Sequence, residues 1–275
     1  MRIPAGGKAG RVDRLLEAAG LNTVCRSARC PNQSECFGRG TATFMIMGDA
    51  CTRRCAFCAV GGGVPAPLDI GEAQRLAAAA ARLHLKHVVI TSVTRDDLPD
   101  GGASAFARSI KAVRKALPRA TIEVLTPDFR GVCSDIATVL RAHPDVFNHN
   151  LETVRRLQRR IRPDADYRRS LRVLSVAAGW DPAVVVKSGL MVGLGETDRE
   201  IEEAMRDLRD AGCEALTIGQ YLAPSPRHAP VARFVAPEAF GDFARRATAM
   251  GFSAVASGPL VRSSYRAGEL IARDG

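Results

Sequence analysis

Six times between residues 41 and 251 a short apolar run is followed by a helical pattern, and this alternation restricts the fold more than any other feature. The runs are TATFMIM (41–47), HVVITSV (87–93), TIEVLT (121–126), DVFNHN (145–150), VVVKSGLMV (184–192) and EALTIGQYL (214–222). Helical patterns follow at 71–83, 103–117, near 132–142, along an Arg-rich stretch from 155 predicted as one long helix, at 198–212 and near 237–250. The apolar runs are continuous rather than alternating, as expected of strands covered on both faces. The pattern predicts a parallel α/β architecture, either a barrel or an open wound sheet. Residues 1–40 show no periodicity and are predicted to form an extension lying on residues 41–251. FSAVASGPL (252–260) leads into a terminal segment, 252–275.

Cysteine usage is the second constraint. Six of the eight cysteines fall between Cys25 and Cys58, in a chain with no apolar signal core near its start. Such crowding without a secretion signal points to metal binding in a reducing compartment, here the cytoplasm, rather than to a disulfide framework. No apolar run approaches the roughly 20 residues that span a bilayer, so no membrane partner is expected. The net charge of +10 favours acidic partners. One Trp and three Tyr are too few for a base-stacking platform, so nucleic acid is not expected.

Cys51, Cys55 and Cys58 follow the first strand with spacing Cys-x3-Cys-x2-Cys. A four-iron cluster takes four thiolates, so three leave one iron open to an outside ligand. A zinc knuckle, as in a basic nucleic-acid-binding module, is the alternative, but it would show paired Cys-x2-Cys units with a matching second half. Cys25, Cys30 and Cys36 form another three-ligand set in CRSARCPNQSEC, a polar stretch ill suited to burying thiols. Further along, Asn150 and Glu152 lie two residues apart at a strand end. Their side chains share one side of an extended segment, an arrangement suited to the two hydroxyls of a ribose. GLGE (193–196) before a helix is a weak dinucleotide hint, lacking the third glycine of the fingerprint.

CTRRCAFC, with Phe57 just before its last cysteine, resembles the radical S-adenosylmethionine (SAM) superfamily. The resemblance implies a partial barrel of six strand–helix units. It also implies SAM chelated to the open iron and cleaved by the reduced cluster to methionine and a 5′-deoxyadenosyl radical. Phe57, Asn150 and Glu152 would then contact SAM, the latter two at its ribose, and Gly193 and Glu196 would belong to the motif packed near adenine. Beyond the cluster ligands, no residue is assigned a catalytic role.

CRSARCPNQSEC, GDACTRRCAFCAV, TSVTRDDLPDGGA, EVLTPDFRG, NHNLETV, KSGLMVGLGETD, GQYLAPS and GPLVRSSYRAGE are together similar to the lipoyl synthase family over residues 20 to 268. That resemblance implies two 4Fe-4S clusters, the auxiliary one held by Cys25, Cys30, Cys36 and Ser264. It implies insertion of two sulfur atoms at C6 and C8 of an octanoyl-lysine on a lipoyl-carrier domain, such as a 2-oxoacid dehydrogenase acyltransferase subunit or the glycine cleavage H protein. An electron donor such as ferredoxin or flavodoxin follows from the same resemblance. Another sulfur-inserting enzyme of the superfamily, biotin synthase-like, is the nearest alternative. Cys133, Cys213 and the histidines, His228 among them, read as packing or surface groups. The arginines from Arg155 to Arg172 read as a solvated face or a dock for an acidic carrier domain.

Overall fold

The computed structural model describes residues 7–39 and 42–271. Residues 1–6, 40–41 and 272–275, which the expected extension, first strand and terminal segment include, lie outside the described residues. The chain forms two compact units. The first holds the described residues through Thr52 with Ala59–Val146, and the second holds Arg53–Cys58 with the chain from Phe147 onward.

The first unit opens with secondary structure that the sequence did not suggest. Helix α1 (Gly7–Ala18) is followed by strand β1 (Asn22–Thr23) and short helices α2 (Val24–Ser27) and α3 (Gln33–Gly38). Val12 and Leu16, one helical turn apart, are 2% and 0% exposed and give α1 its buried stripe. The Thr23 hydroxyl caps α2 by accepting from Arg26 N at 3.3 Å. Arg26 also donates to Asp13 Oδ1 at 2.7 Å, fastening α2 to α1. Strand β1 runs antiparallel to β2 (Thr43–Ile46), which pairs in parallel with β3 (His87–Ser92), itself parallel to β4 (Thr121–Leu125). The connections carry α4 (Glu72–Arg82), α5 (Ala103–Ala116) and α6 (Cys133–Leu140). Every residue of β2 is buried, as the continuous apolar run requires.

The second unit contains parallel strands β6 (Val185–Val192), β7 (Ala215–Gln220) and β8 (Ala254–Gly258) in that order, and β5 (Val146–Asn148) lies at its start. The Arg-rich stretch is not one long helix. A 3-10 turn at Arg155–Leu157 leads into α7 (Gln158–Ile161), and α8 (Tyr167–Ala178) begins afresh. Pro163 disfavours helix at the residue before it, and Asp166 caps α8 by accepting from Arg169 N at 2.8 Å. Helices α9 (Asp198–Asp210), α10 (Pro237–Ala249) and α11 (Ala267–Ile271) complete the unit. Helix α9 starts with a capping box in which Thr197 and Glu200 bond each other's backbone. Arg156, paired with Glu200 at 2.7 Å, and the Thr197 backbone hold the Glu200 carboxyl down to about 2. Among the described residues no helix is long and apolar enough to cross a membrane.

Candidate functional site

In the first unit, Cys25 lies in α2 and Cys36 in α3, with Cys30 between them. Backbone bonds fix the segment, Cys30 N donating to Cys25 O at 3.1 Å and Cys36 N to Asn32 O at 2.9 Å. Burial pushes the Cys25 thiol up to about 11, and the nearby Cys30 and Cys36 thiols add to the rise, so the three sulfurs share one neighbourhood. Cys51 is also in this unit, at the end of the loop after β2. Its N–H donates to Gly61 O at 2.8 Å and its carbonyl accepts from Gly63 N at 3.3 Å, so the glycine run 61–63 pairs with the cysteine segment. The Thr52 hydroxyl donates to Thr94 O at 3.0 Å and accepts from Asp96 N at 3.1 Å. Arg95, 2% exposed, reaches Asp97 at 2.8 Å and Met47 O at 3.4 Å. The TSVTRDD segment therefore braces the loop that carries Cys51. The sequence reading had attached no role to it.

In the second unit, Cys55 and Cys58 flank a tight turn in which Cys58 N donates to Cys55 O at 3.1 Å. Three neighbours grip this turn. Arg54 N donates to Asp164 Oδ2 at 3.0 Å, and Ala56 N to Ile161 O at 2.8 Å. Ala229 N donates to Ala56 O at 2.8 Å. His228 Nε2 then donates to Cys58 O at 3.1 Å, and in the neutral ring Nδ1 accepts from the Ser225 hydroxyl at 2.8 Å. His228, expected to be a packing or surface group, is a support for the cysteine turn. Its single occurrence had no spacing signal that would reveal this. Phe57 sits half-buried within the same turn.

A polar cradle lies where β5 and β6 end. Asn150 Nδ2 donates to Glu152 Oε1 at 3.0 Å, so the two side chains do share a side. They do so beyond the strand, with Glu152 at φ 69° and bonded through its own N–H to Gly189 O at 2.9 Å. Arg162 fixes the backbone from behind, Nη1 donating to Leu151 O at 3.0 Å and Asn150 O at 3.2 Å. Desolvation raises the Glu152 carboxyl above its ordinary range, against the opposing pull of Arg162 and Asn150. The cradle floor is Gly189. A methyl group there would stand 2.7 Å from Thr217 Oγ1 and 2.9 Å from both Asn150 Oδ1 and Ser263 Oγ. Ser263, which the sequence reading passed over for its neighbour Ser264, makes two bonds to Asn150. Its hydroxyl accepts from Nδ2 at 2.7 Å and donates to Oδ1 at 2.9 Å.

Gly193 and Glu196 come together within one turn. The Glu196 carboxylate accepts from Gly193 N at 2.6 Å and Leu194 N at 2.9 Å, with its side chain 1% exposed. Both oxygens are engaged in shaping the loop after β6. Of the arginines, Arg155 pairs with Asp207, Arg156 with Glu200, and Arg160 with Leu194 O, while Arg159 and Arg168 point outward.

The donor sets fit iron–sulfur clusters with SAM. None of the eight cysteines is in a disulfide, and six of them supply two sets of three thiols. Among the described residues no three His, Cys, Asp or Glu side chains gather tightly enough for a single metal ion. Asn150 and Glu152 supply an amide and a carboxylate for a diol, above a floor that only glycine fits.

The radical SAM superfamily matches residues 45–208, more than half of the chain. The fold is likewise similar to that of methylornithine synthase, with a TM-score of 0.54 at 14% identity over 82% of this chain and 67% of that one. The α/β class expected from the strand–helix alternation, and the radical SAM type that the CTRRCAFC resemblance implies, are thus the fold observed. A lipoyl synthase of Caldanaerobacter subterraneus subsp. tengcongensis is 58% identical over 94% of this chain and 90% of its own length. One of Methylococcus capsulatus is 56% identical over 99% and 85%. The chain belongs to the lipoyl synthase family.

Proposed function

We infer that this chain inserts two sulfur atoms, at C6 and C8, into a protein-bound octanoyl-lysine to form a lipoyl group, with SAM as cosubstrate. The observation that carries this is identity of 58% to a lipoyl synthase over 90% of that protein's length. When bound, two 4Fe-4S clusters and SAM supply hydrogen abstraction and the sulfur. Cys51, Cys55 and Cys58 hold the cluster that takes SAM. Cys25, Cys30 and Cys36 with Ser264 hold the auxiliary one, where a hard serine oxygen on iron makes the bond most easily released. Asn150 and Glu152 receive the ribose hydroxyls, while Gly193 and Glu196 shape the loop beside adenine and Phe57 packs within the cysteine turn. In functional terms residues 1–40 are the auxiliary-cluster extension, 41–251 the radical SAM barrel and 252–275 the segment with the serine ligand.

The test is anaerobic incubation of reconstituted protein with an octanoyl-lysine peptide, SAM and a reductant. The product should lose two hydrogens and gain two sulfurs by mass. An unmodified peptide from protein with both clusters loaded would overturn the assignment. The electron donor is a small acidic protein of the ferredoxin or flavodoxin kind, a choice supported by the net charge of +10. Eight cysteines outside any disulfide suit a reducing compartment such as the cytoplasm.

Two outcomes follow from the geometry. The raised Glu152 carboxyl accepts from both hydroxyls of a diol through two charged oxygens when ionised, and loses that charge and one acceptor when protonated. SAM affinity should therefore fall on acidification at a higher pH than the roughly 4.3 of an ordinary glutamate would give. Glu152→Gln should bind SAM more weakly with that pH dependence flattened, as read by equilibrium titration. Arg159 and Arg168 are exposed members of the arginine stretch and suit an acidic carrier domain. Reversing both charges should raise KM several-fold for whole carrier protein, in a salt-dependent manner, and leave KM for a short octanoyl peptide unchanged. Equal effects on both substrates would remove the docking role.

A further inference from the structure

The two serines of the RSSY segment have different surroundings, and the contacts of Ser263 go beyond the assignment of Ser264 as a ligand. An amide side chain has two N–H donors and a carbonyl with two lone pairs. In Asn150 one N–H is given to Glu152 and the other to Ser263, and the carbonyl accepts from Ser263. Both donors are therefore occupied. The hydroxyl of Ser263 makes with this amide the donor–acceptor pair that a sugar hydroxyl would make. Ser263 also faces the glycine floor, its oxygen 2.9 Å from where a Gly189 methyl would stand.

We propose that Ser263 is a positioning residue that ties the RSSY segment to Asn150, and that it exchanges places on that amide with a ribose hydroxyl of SAM. The proposal rests on the reading of Asn150 and Glu152 as the ribose site. Asn150 is the fixed partner in the exchange. Its backbone carbonyl is held by Arg162, and its side chain is steadied by Glu152. The segment is the partner that yields, because residues 261–265 lie outside helix and strand, between the ends of β8 and α11. One neutral donor–acceptor pair replaces another of the same kind, so little separates the two states and cofactor binding can shift the balance. SAM then loosens the stretch whose next residue is Ser264, linking cofactor occupancy to the firmness with which the serine ligand is presented.

The test uses the full chain reconstituted with its clusters, without reductant, and SAM as the probe. Titration calorimetry should show Ser263→Ala binding SAM roughly threefold to tenfold more tightly than wild type. Ser263→Thr, which keeps the hydroxyl, should resemble wild type. Asn150→Ala should bind more weakly, and the double variant Asn150→Ala with Ser263→Ala should match Asn150→Ala alone. Hydrogen exchange read by mass over residues 259–266 supplies a measurement on wild type itself. Adding SAM should speed exchange there, and Ser263→Ala should exchange fast with or without SAM. An Asn150→Ala protein with unchanged affinity would overturn the ribose reading. Weakened binding in Asn150→Ala, with unchanged or weaker binding in Ser263→Ala, would overturn the exchange alone, as would slower wild-type exchange on adding SAM.

Discussion

Replacing Cys51, Cys55 and Cys58 together with alanine should abolish 5′-deoxyadenosine formation while about four irons remain per chain, against about eight in the wild type. The expectation follows from the separation of the donor sets in the chain. Cys25, Cys30 and Cys36 are held by α2, α3 and their own backbone bonds, none of which uses the second set. The backbone at Cys55 and Cys58 is fixed by Asp164, Ile161, Ala229 and His228, so alanine removes thiols and leaves the turn in place. Iron content, sulfide content and deoxyadenosine are measured on the same preparation. SAM cleavage surviving in the triple variant would mean that these cysteines are not the site of SAM chemistry.

Gly219→Ala should separate the chemistry of the two clusters without touching a ligand. Gly219 lies in β7, and a methyl group there would run into the carbonyl of Val261, a backbone atom that cannot rotate aside. The cost is about 1–3 kcal/mol, the usual range for overpacking, and the simplest relief is for the chain at Val261 to lift off the strand. Ser263 and Ser264 would lift with it. Lipoyl product should fall at least tenfold, while 5′-deoxyadenosine continues to form. Circular dichroism checks that the fold persists. A Gly219→Ala protein with full product yield would show that the placement of the RSSY segment is not critical to sulfur delivery.

Much of the architecture was legible because covered strands leave continuous apolar runs. HVVITS, TIEVL and ALTIGQ became β3, β4 and β7 within a residue or two. Besides α1, three features were not legible, for physical reasons. Helices α2 and α3 span four and six residues, too few to show a helical period, and depend on a threonine cap and backbone bonds. The arginine stretch has helical composition, but Pro163 and the Asp166 cap break it. Strand β8 is only half-buried throughout and carries Ala, Ser and Gly, so it reads as the start of a tail. At the site, spacing singled out the cysteines as candidates and placed Asn150 and Glu152 on one side, where their side chains meet at 3.0 Å. The supports, Thr52, Arg95, His228 and Ser263, act through partners 42 to 170 residues away, which no local pattern encodes.

The grip on the Cys55–Cys58 turn bears on how such an enzyme is assembled. Four protein groups, drawn from Asp164, Ile161, His228 and Ala229, hold the turn through its peptide units rather than through its sulfurs. Ordering that loop is thus a cost met when the polypeptide folds and not when iron arrives. Zinc fingers show the opposite regime, where ligation and folding are one event and chelation unravels the domain. Here metal insertion becomes a late step of maturation onto a prepared platform. A chain stripped of iron should then recover its iron content on anaerobic reconstitution without being unfolded first.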